Sequence, residues 1–93
     1  MIASFADSRT EDFYNGRRVA VFSGFAWTAS RKLDQLDAAT GLGDLARPGN
    51  RLERLKGDRK GQWSIRINDQ WRICFEWRDG SPGPMKVQIV DYH

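Results

Sequence analysis

The chain has 93 residues, of which 40% are hydrophobic and 29% charged, and this size and composition predict one globular domain spanning residues 1–93. Its single cysteine, Cys74, excludes an intramolecular disulfide. No apolar run approaches the roughly 20 residues that a membrane-spanning helix needs, and the N-terminus lacks the long apolar stretch of a signal peptide. We therefore expect a cytoplasmic protein without a membrane partner.

The formal net charge of +3 is unevenly distributed along the chain. Residues 47–78 hold nine Lys or Arg and four Asp or Glu, whereas the segments on either side are each slightly acidic. A basic stripe of this kind is typical of proteins that bind nucleic acids. An Arg-rich surface can also serve solubility, so the charge pattern leaves both interpretations open.

The N-terminal segment predicts a short strand followed by a short helix. Residues 1–5 alternate weakly between apolar and polar side chains, as a strand does. Ser8 and Glu11 fit a capping box, in which each side chain bonds the other's backbone amide. The helix that they begin would run through Tyr14 and end at Gly16.

A second helix is predicted for residues 25–39, with Ser23 as its cap and the pair Thr40-Gly41 at its end. Its apolar side chains recur at helical spacing on one face: Phe25, Ala29, Leu33 and Leu36. Trp27 lies off this stripe. We expect Trp27 to pack in the core, and the alternative is a rim position or a contact with a partner.

The C-terminal half predicts strands separated by glycine-rich and proline-rich turns. A strand over residues 51–56 is irregular because Leu52 and Leu55 are three apart, which predicts a bulge or an early end. A clear turn at residues 79–84 precedes a last strand over residues 85–90.

A hairpin over residues 63–77 has the clearest pattern in the chain. A three-residue loop at residues 68–70 pairs Ile65 with Ile73 and keeps all the apolar side chains on one face. The same register places Arg66 opposite Arg72 on the solvent face, where like charges are destabilising. The arginine pair therefore predicts an anionic partner, and we expect the pair to stay unpaired until that partner binds.

Three side chains of this hairpin have roles that alternation predicts. Trp63 and Trp71 fall on the apolar face, so we expect them in the core. Cys74 falls on the polar face, where we expect a small buried or half-buried residue; a reactive thiol is the alternative.

The order of these elements indicates the fold class. Helices come first and the strands follow consecutively. We therefore predict an α+β fold: a small antiparallel β-sheet with two N-terminal helices packed on one face, in the order β-α-α-β-β-β-β.

Few residues have the spacing of a catalytic or cofactor site. The one histidine and the one cysteine are far apart, and phosphate-loop and dinucleotide fingerprints are absent, so we predict no metal and no cofactor. The chain ends Asp91-Tyr92-His93, and terminal residues are often inert and frayed. Here they follow an apolar strand that should be held in the sheet, so His93 can act as a general acid or base near neutral pH. Strand alternation sends Asp91 and His93 to one side and Tyr92 to the other.

Two segments form a long and ordered combination: LKGDRKGQWSIRINDQWRICFEW at residues 55–77 and VDYH at residues 90–93. Together with KLDQLDAAT and PGNRLE upstream, they resemble the HigB family of bacterial toxins in the RelE/ParE superfamily. The resemblance covers residues 30–93 closely and residues 1–29 loosely. It implies a RelE-like microbial-ribonuclease fold.

The resemblance also implies a function and partners. A toxin of this family would enter the ribosomal A site and cleave mRNA there. A HigA-like helix-turn-helix antitoxin would neutralise it, and the complex would bind operator DNA through the antitoxin.

By position, the resemblance implies catalytic roles for Lys56, Arg72, Asp91, Tyr92 and His93. Some relatives have a histidine three residues before the lysine, where this chain has a glutamate. The chain therefore has a single imidazole, which leaves the acid/base pairing open.

The roles can be assigned as hypotheses. His93 would be the general acid or base, with Glu53 or Asp91 as its partner, and Asp91 can instead orient the imidazole. Tyr92 would stack on a base or donate a hydrogen bond, and Lys56 and Arg72 would stabilise the extra phosphate charge. Further bases would bind the RNA backbone: Arg51, Arg54, Arg59, Lys60 and Arg66.

Two other functions compete with RNA cleavage. A toxin of the ParE type inhibits DNA gyrase by binding and cuts no RNA. A DNA-binding accessory protein is a third interpretation, for which the sequence offers no recognisable groove-reading helix.

Overall fold

The structure is a computed structural model, and it describes residues 1–92. Within these residues the helices are α1 (Ser8–Tyr14) and α2 (Ala26–Ala38), and the strands are β1 (Glu53–Arg54), β2 (Trp63–Arg66), β3 (Trp71–Glu76) and β4 (Met85–Asp91). Short 3-10 helices occupy Ala20–Phe25, Leu42–Leu45 and Gly57–Arg59. The strands form an antiparallel sheet in the order β1-β2-β3-β4, which confirms the α+β class. No helix in the described part of the chain is long and apolar enough to cross a membrane.

The expected first strand is reduced to an extended segment along the outer edge of β4. Phe5 forms a parallel bridge with Val87, so the prediction of a strand over residues 1–5 was too long. The reason lies in β4, where a register shift accompanies Lys86 at a φ of 52°. The Lys86 amide donates to the Ser4 side-chain oxygen at 2.9 Å instead of to a backbone carbonyl, which interrupts a regular ladder.

Both predicted helix caps were wrong. The cap of α1 is Asp7, whose carboxylate accepts a hydrogen bond from the Thr10 amide at 2.9 Å, and Ser8 is the first helical residue. An aspartate caps as well as a serine, and its charge also favours the positive end of the helix. Ser23 lies within a 3-10 helix and donates to the Ala20 carbonyl at 2.8 Å, so it does not cap α2.

The hairpin has the predicted register. Ile65 pairs with Ile73, and the Ile67 amide donates to the Trp71 carbonyl at 3.0 Å, so residues 68–70 form the three-residue loop of the hairpin. The side-chain oxygen of Asn68 closes this loop by accepting hydrogen bonds from the amides of Gln70 at 2.9 Å and Trp71 at 2.8 Å. Asn favours turns because its side chain can replace a backbone acceptor in this way.

The irregular spacing of two leucines explains why β1 is short. Leu52 packs against the main core, whereas Leu55 is buried on the opposite side of the sheet with Cys74 and Val90. Residues an odd number apart point to opposite faces of a strand. The two leucines therefore serve two faces, and the predicted early end of the strand is confirmed.

The main core lies between α2 and one face of the sheet. Leu33 and Leu36 of α2 are buried against Ile65 and Ile73, and Trp63 and Trp71 pack against the same cluster as predicted. In contrast, the expectation that Trp27 packs in the core was wrong, because 73% of it is exposed. A helix advances about 100° per residue, so a residue two positions before the buried Ala29 points away from the core.

A buried asparagine connects the loop after α2 to the helix and to the sheet. The Asn50 amide group donates to the Gln35 side chain and to the Leu45 carbonyl, each at 3.0 Å. Its side-chain oxygen accepts a hydrogen bond from Lys32, and its backbone carbonyl accepts one from the Arg66 amide. These bonds hold the loop against the end of β2.

Candidate active site

The sheet face that points away from α2 carries several of the predicted catalytic side chains, and we call it the open face. Glu53 of β1 is paired with Ser64 of β2, and Ser64 with Cys74 of β3. Arg72 precedes Cys74 by two residues, so it lies on the same side of the strand. Strand pairing thus brings Glu53 and Arg72 together although they are far apart in sequence.

Arg72 lies at the centre of this face. Its Nη1 is 3.5 Å from Glu53 Oε2 and donates to Ser64 Oγ at 3.4 Å. Its guanidinium carbon lies 5.1 Å from the centre of the Tyr92 ring, within the range of a cation–π contact. Only 17% of the Arg72 side chain is exposed. We call Glu53, Ser64, Arg72 and Tyr92 the Arg72 cluster. Its contacts hold the Arg72 guanidinium in place before any ligand binds.

Tyr92 is held at the end of β4 by its backbone and by its ring. Its amide donates to the Gln70 carbonyl in the hairpin loop at 2.8 Å. The half-buried ring packs on a small apolar group formed by Leu55, Cys74 and Val90. The aromatic ring is therefore fixed next to Arg72, in a position from which it can contact a bound ligand.

The two opposing arginines of the hairpin are each paired with a carboxylate. Arg66 lies opposite Arg72 as predicted, but it forms an ion pair with Asp69 of the loop, and Arg72 forms one with Glu53. The Arg66 hydrogen bond and charge hold the pKa of Asp69 below its usual value. The expectation of an unpaired arginine pair was wrong because both acids are within reach. An incoming phosphate would share or displace them.

Asp91 lies on the other side of the sheet from Tyr92. It is paired with Trp71, a core residue, and its carboxylate accepts a hydrogen bond from the Gln70 side chain at 2.9 Å. The structure does not bring Asp91 to the Arg72 cluster, so its catalytic role stays a prediction. His93 lies outside the described residues, and its role likewise stays a prediction.

Among the predicted RNA-binding residues, Arg59 and Arg66 reach the open face. Arg59 Nη1 donates to the side-chain oxygens of Gln62 at 3.1 Å and Gln88 at 3.5 Å. Gln88 is paired with Cys74, which places the Arg59 guanidinium over the open face. Arg59 therefore adds a further cation to the open face, beside the Arg72 cluster.

The other predicted bases surround β1. Arg51 is exposed and has a φ of 47°. Arg54 points to the helix side of the sheet, with its guanidinium 6.0 Å from the Trp63 ring. Lys56 and Lys60 are exposed and border a depression of about 270 Å³ next to β1. Arg54 also borders this depression, and we call its three basic residues the rim beside β1. Among the contacts described for residues 1–92, none joins these four bases to Arg72.

Sequence reasoning missed three polar residues of the open face. Ser64 is fully buried and contacts Arg72. It lies two residues before Arg66, so strand alternation could have placed it on the same face as the arginines. Gln62 and Gln88 orient Arg59. Their role depends on how the loop before β2 folds over the sheet, which no local pattern shows.

Cys74 is buried beneath these arginines, with 1% of its surface exposed, so the expectation of a buried residue is confirmed. Burial raises the pKa of the Cys74 thiol, although the charges of Arg59 and Arg72 act in the opposite direction. A raised pKa favours the neutral thiol, which is a poor nucleophile.

We therefore expect iodoacetamide to alkylate native Cys74 at pH 8 at least about tenfold more slowly than it alkylates the urea-unfolded chain. Mass spectrometry over time measures both rates, and Cys74→Ala gives the background. Equal rates in the two states would support the alternative of a reactive thiol.

The fold defines the structural class of the protein. A YoeB–YefM complex from Staphylococcus aureus matches with a TM-score of 0.62 and 17% identity, covering 100% of this chain and 98% of that one. A YoeB/ParE toxin from Agrobacterium tumefaciens matches with a TM-score of 0.57 and 21% identity, covering 96% of each chain. The chain thus has the fold of RelE-type toxins, as its sequence predicted.

The particular family follows from the sequence comparisons. The family model described as "RelE-like toxin of type II toxin-antitoxin system HigB" matches residues 3–93. The chain is 43% identical over 83 residues to Toxin HigB-1 of Vibrio cholerae, covering 86% of this chain and 87% of that protein. It is 40% identical over 62 residues to Endoribonuclease HigB of Proteus vulgaris, covering 67% and 65%. The chain belongs to the HigB-like family of toxins from type II toxin-antitoxin systems.

Proposed function

We propose that this toxin is a ribosome-dependent endoribonuclease, which cleaves mRNA in the ribosomal A site and so inhibits translation. The observation that carries the proposal is the half-buried Arg72 guanidinium, held between Glu53 and Tyr92 on an open sheet face. The similarity to a relative named an endoribonuclease supports the same activity.

The chemistry would proceed through the 2′-hydroxyl of the RNA. A base removes the proton of this hydroxyl, the 2′-oxygen forms a bond to phosphorus, and the bond to the 5′-oxygen breaks as an acid protonates that oxygen. Negative charge increases on the phosphate in between, so a fixed cation lowers the barrier. Arg72 is suited to this task because its fork of donors can bind two phosphate oxygens at once.

Glu53 and the C-terminal residues of the chain would supply the acid and the base. Glu53 is half exposed and lies next to the guanidinium, so a 2′-hydroxyl can reach its carboxylate. His93 would supply the second proton-transfer group, with Asp91 as the alternative partner or as the residue that orients the imidazole. Tyr92 would stack on the base beside the cleaved bond or donate a hydrogen bond to it.

The remaining cations would bind the RNA backbone. Arg59 and Arg66 lie on the open face and would contact phosphates next to the scissile one. Lys56 would contribute positive charge at the edge of the site. Arg54 and Lys60 belong to the rim described above, and together with Arg51 they would extend the binding surface.

Membership in the family supports a proposal for the partners. We propose that a HigA-like helix-turn-helix antitoxin neutralises this toxin in the cytoplasm and that the complex binds operator DNA through the antitoxin. The membership in a toxin-antitoxin family supports the protein antitoxin, as does the similarity to a solved toxin–antitoxin complex.

The test is a translation reaction with purified components. We expect the full chain to cut a defined mRNA only when ribosomes translate it, and we expect His93→Ala to remove the cuts. Asn15→Ala, an exposed change at the end of α1, is the control and should cut normally. Intact mRNA together with stabilised gyrase–DNA breaks would contradict the proposal and support inhibition of gyrase.

A further inference from the structure

The outer side of α2 presents an exposed aromatic ring and basic side chains. Trp27 is 73% exposed, although a tryptophan usually buries its large apolar surface. Arg31 lies one helical turn further on, and its guanidinium carbon is 4.8 Å from the centre of the Trp27 ring. The arginine and the ring therefore form a flat pair that faces the solvent.

A shallow depression continues from this pair along the helix. Its volume is about 330 Å³, and its lining residues are Arg31, Asp34, Gln35, Ala38 and Arg47. Two guanidinium groups thus border the depression, together with one carboxylate.

A third cation lies next to these two. Lys32 donates a hydrogen bond to Asn50, and its pKa is lowered by burial and by the charges of Arg66, Arg31 and Arg47. Within residues 1–92, Arg31, Lys32 and Arg47 form no ion pair with a carboxylate, whereas Arg66 and Arg72 both do. This concentration of positive charge is destabilising by itself and favours an anionic partner.

We propose that this α2 surface, formed by Trp27, Arg31, Lys32 and Arg47, binds an unpaired segment of ribosomal RNA. One base stacks on the Trp27 ring, and the adjoining phosphates bind the three cations. An aromatic platform beside a basic groove is the combination that binds single-stranded nucleic acid. The inference rests on the proposed function, because it concerns how the toxin is held on the ribosome.

The position of the surface separates it from the site of cleavage. Leu33 and Leu36 of α2 point into the core that lies between the helix and the sheet, so Trp27 and Arg72 lie on opposite sides of the molecule. The chain measures 34 × 26 × 26 Å along its principal axes. An mRNA strand bound at Arg72 lies on the sheet face that points away from α2, so it does not reach Trp27 directly. We therefore assign the α2 surface to a segment of ribosomal RNA, because the RNA of one ribosome can contact the toxin on the side opposite to the bound mRNA.

The test measures the binding of the full chain to purified ribosomes that lack mRNA, by sedimentation at several salt concentrations. We expect Trp27→Ala to weaken binding about fivefold or more, as the loss of a stacked base does, and Trp27→Phe to restore part of the affinity. We expect the double variant Arg31→Glu/Arg47→Glu to weaken binding and to reduce its salt dependence. The matched controls are Val21→Ala, an exposed apolar change, and Arg17→Glu/Arg18→Glu, which reverses two exposed arginines before α2.

The outcomes separate this inference from the proposed function. Ribosome binding that depends on Trp27, with mRNA left intact, would support the inference and contradict the endoribonuclease. Cleavage with ribosome binding unchanged in both α2 variants would overturn the inference alone. Unchanged ribosome binding together with weaker antitoxin binding would also overturn it and would identify the surface as a protein interface. Circular dichroism confirms that the exposed substitutions leave the fold unchanged.

Discussion

Replacing Arg72 by alanine is expected to slow mRNA cleavage on the ribosome by about 10²–10³-fold, because a fixed donor to the transition-state charge is lost. Arg72 is the only residue that contacts Glu53, Ser64 and Tyr92 together among the described contacts. The change also leaves the Glu53 carboxylate without its cation. The phosphate would then approach a negative side chain, which raises the barrier further.

The conservative change at this position separates charge from geometry. Arg72→Lys keeps the positive charge but loses the flat fork that binds two oxygens and stacks on a ring. We expect it to recover a small part of the rate. Arg78→Ala is the control, because Arg78 is an exposed arginine whose ion pair is with Glu76.

The measurement is the single-turnover rate of cleavage with saturating ribosomes, together with thermal unfolding of each variant. Full activity in a folded Arg72→Ala protein would show that the transition-state charge is stabilised elsewhere. The rim beside β1, with Lys56 and Lys60, would then be the next candidate.

The largest loss of stability is expected for Phe22→Ala. Phe22 has no exposed surface, and its ring meets those of Phe13, Phe25 and Trp71 at centroid distances of 5.5, 5.8 and 5.9 Å. Removing such a ring costs about 3–5 kcal/mol. The unfolding free energy of a small domain is only about 5–15 kcal/mol, so the variant should be marginally folded.

Urea denaturation followed by tryptophan fluorescence measures this effect. Val21→Ala is the matched control, because Val21 is the preceding residue and is 48% exposed; a surface change of this kind usually alters stability by about 0.5 kcal/mol or less. A loss of stability at Phe22 no larger than at Val21 would show that the aromatic group is not the central packing element. The 3-10 helix that contains both residues would then be stabilised mainly by its backbone hydrogen bonds.

Much of the sheet could be predicted because strand alternation is a local rule. The pairing of Ile65 with Ile73 and the three-residue loop followed from the requirement that apolar side chains share one face. The same rule placed Arg66 opposite Arg72 and separated Asp91 from Tyr92. The predicted capping at Ser8 and Ser23 failed, because Asp7 was an equally good cap and Ser23 formed part of a 3-10 helix.

The family and the α+β order were thus determined by the sequence itself, through the motifs at residues 55–77 and 90–93 and through the sequential arrangement of helices and strands. Only the tertiary structure decided which residues contact the Arg72 guanidinium. Its partners Glu53 and Tyr92 come from β1 and from the end of β4, which strand pairing brings together. The orientation of Trp27 was also decided there, since the stripe of α2 that faces the sheet depends on how the whole helix packs. Contacts between distant segments depend on this packing, and no local pattern specifies them.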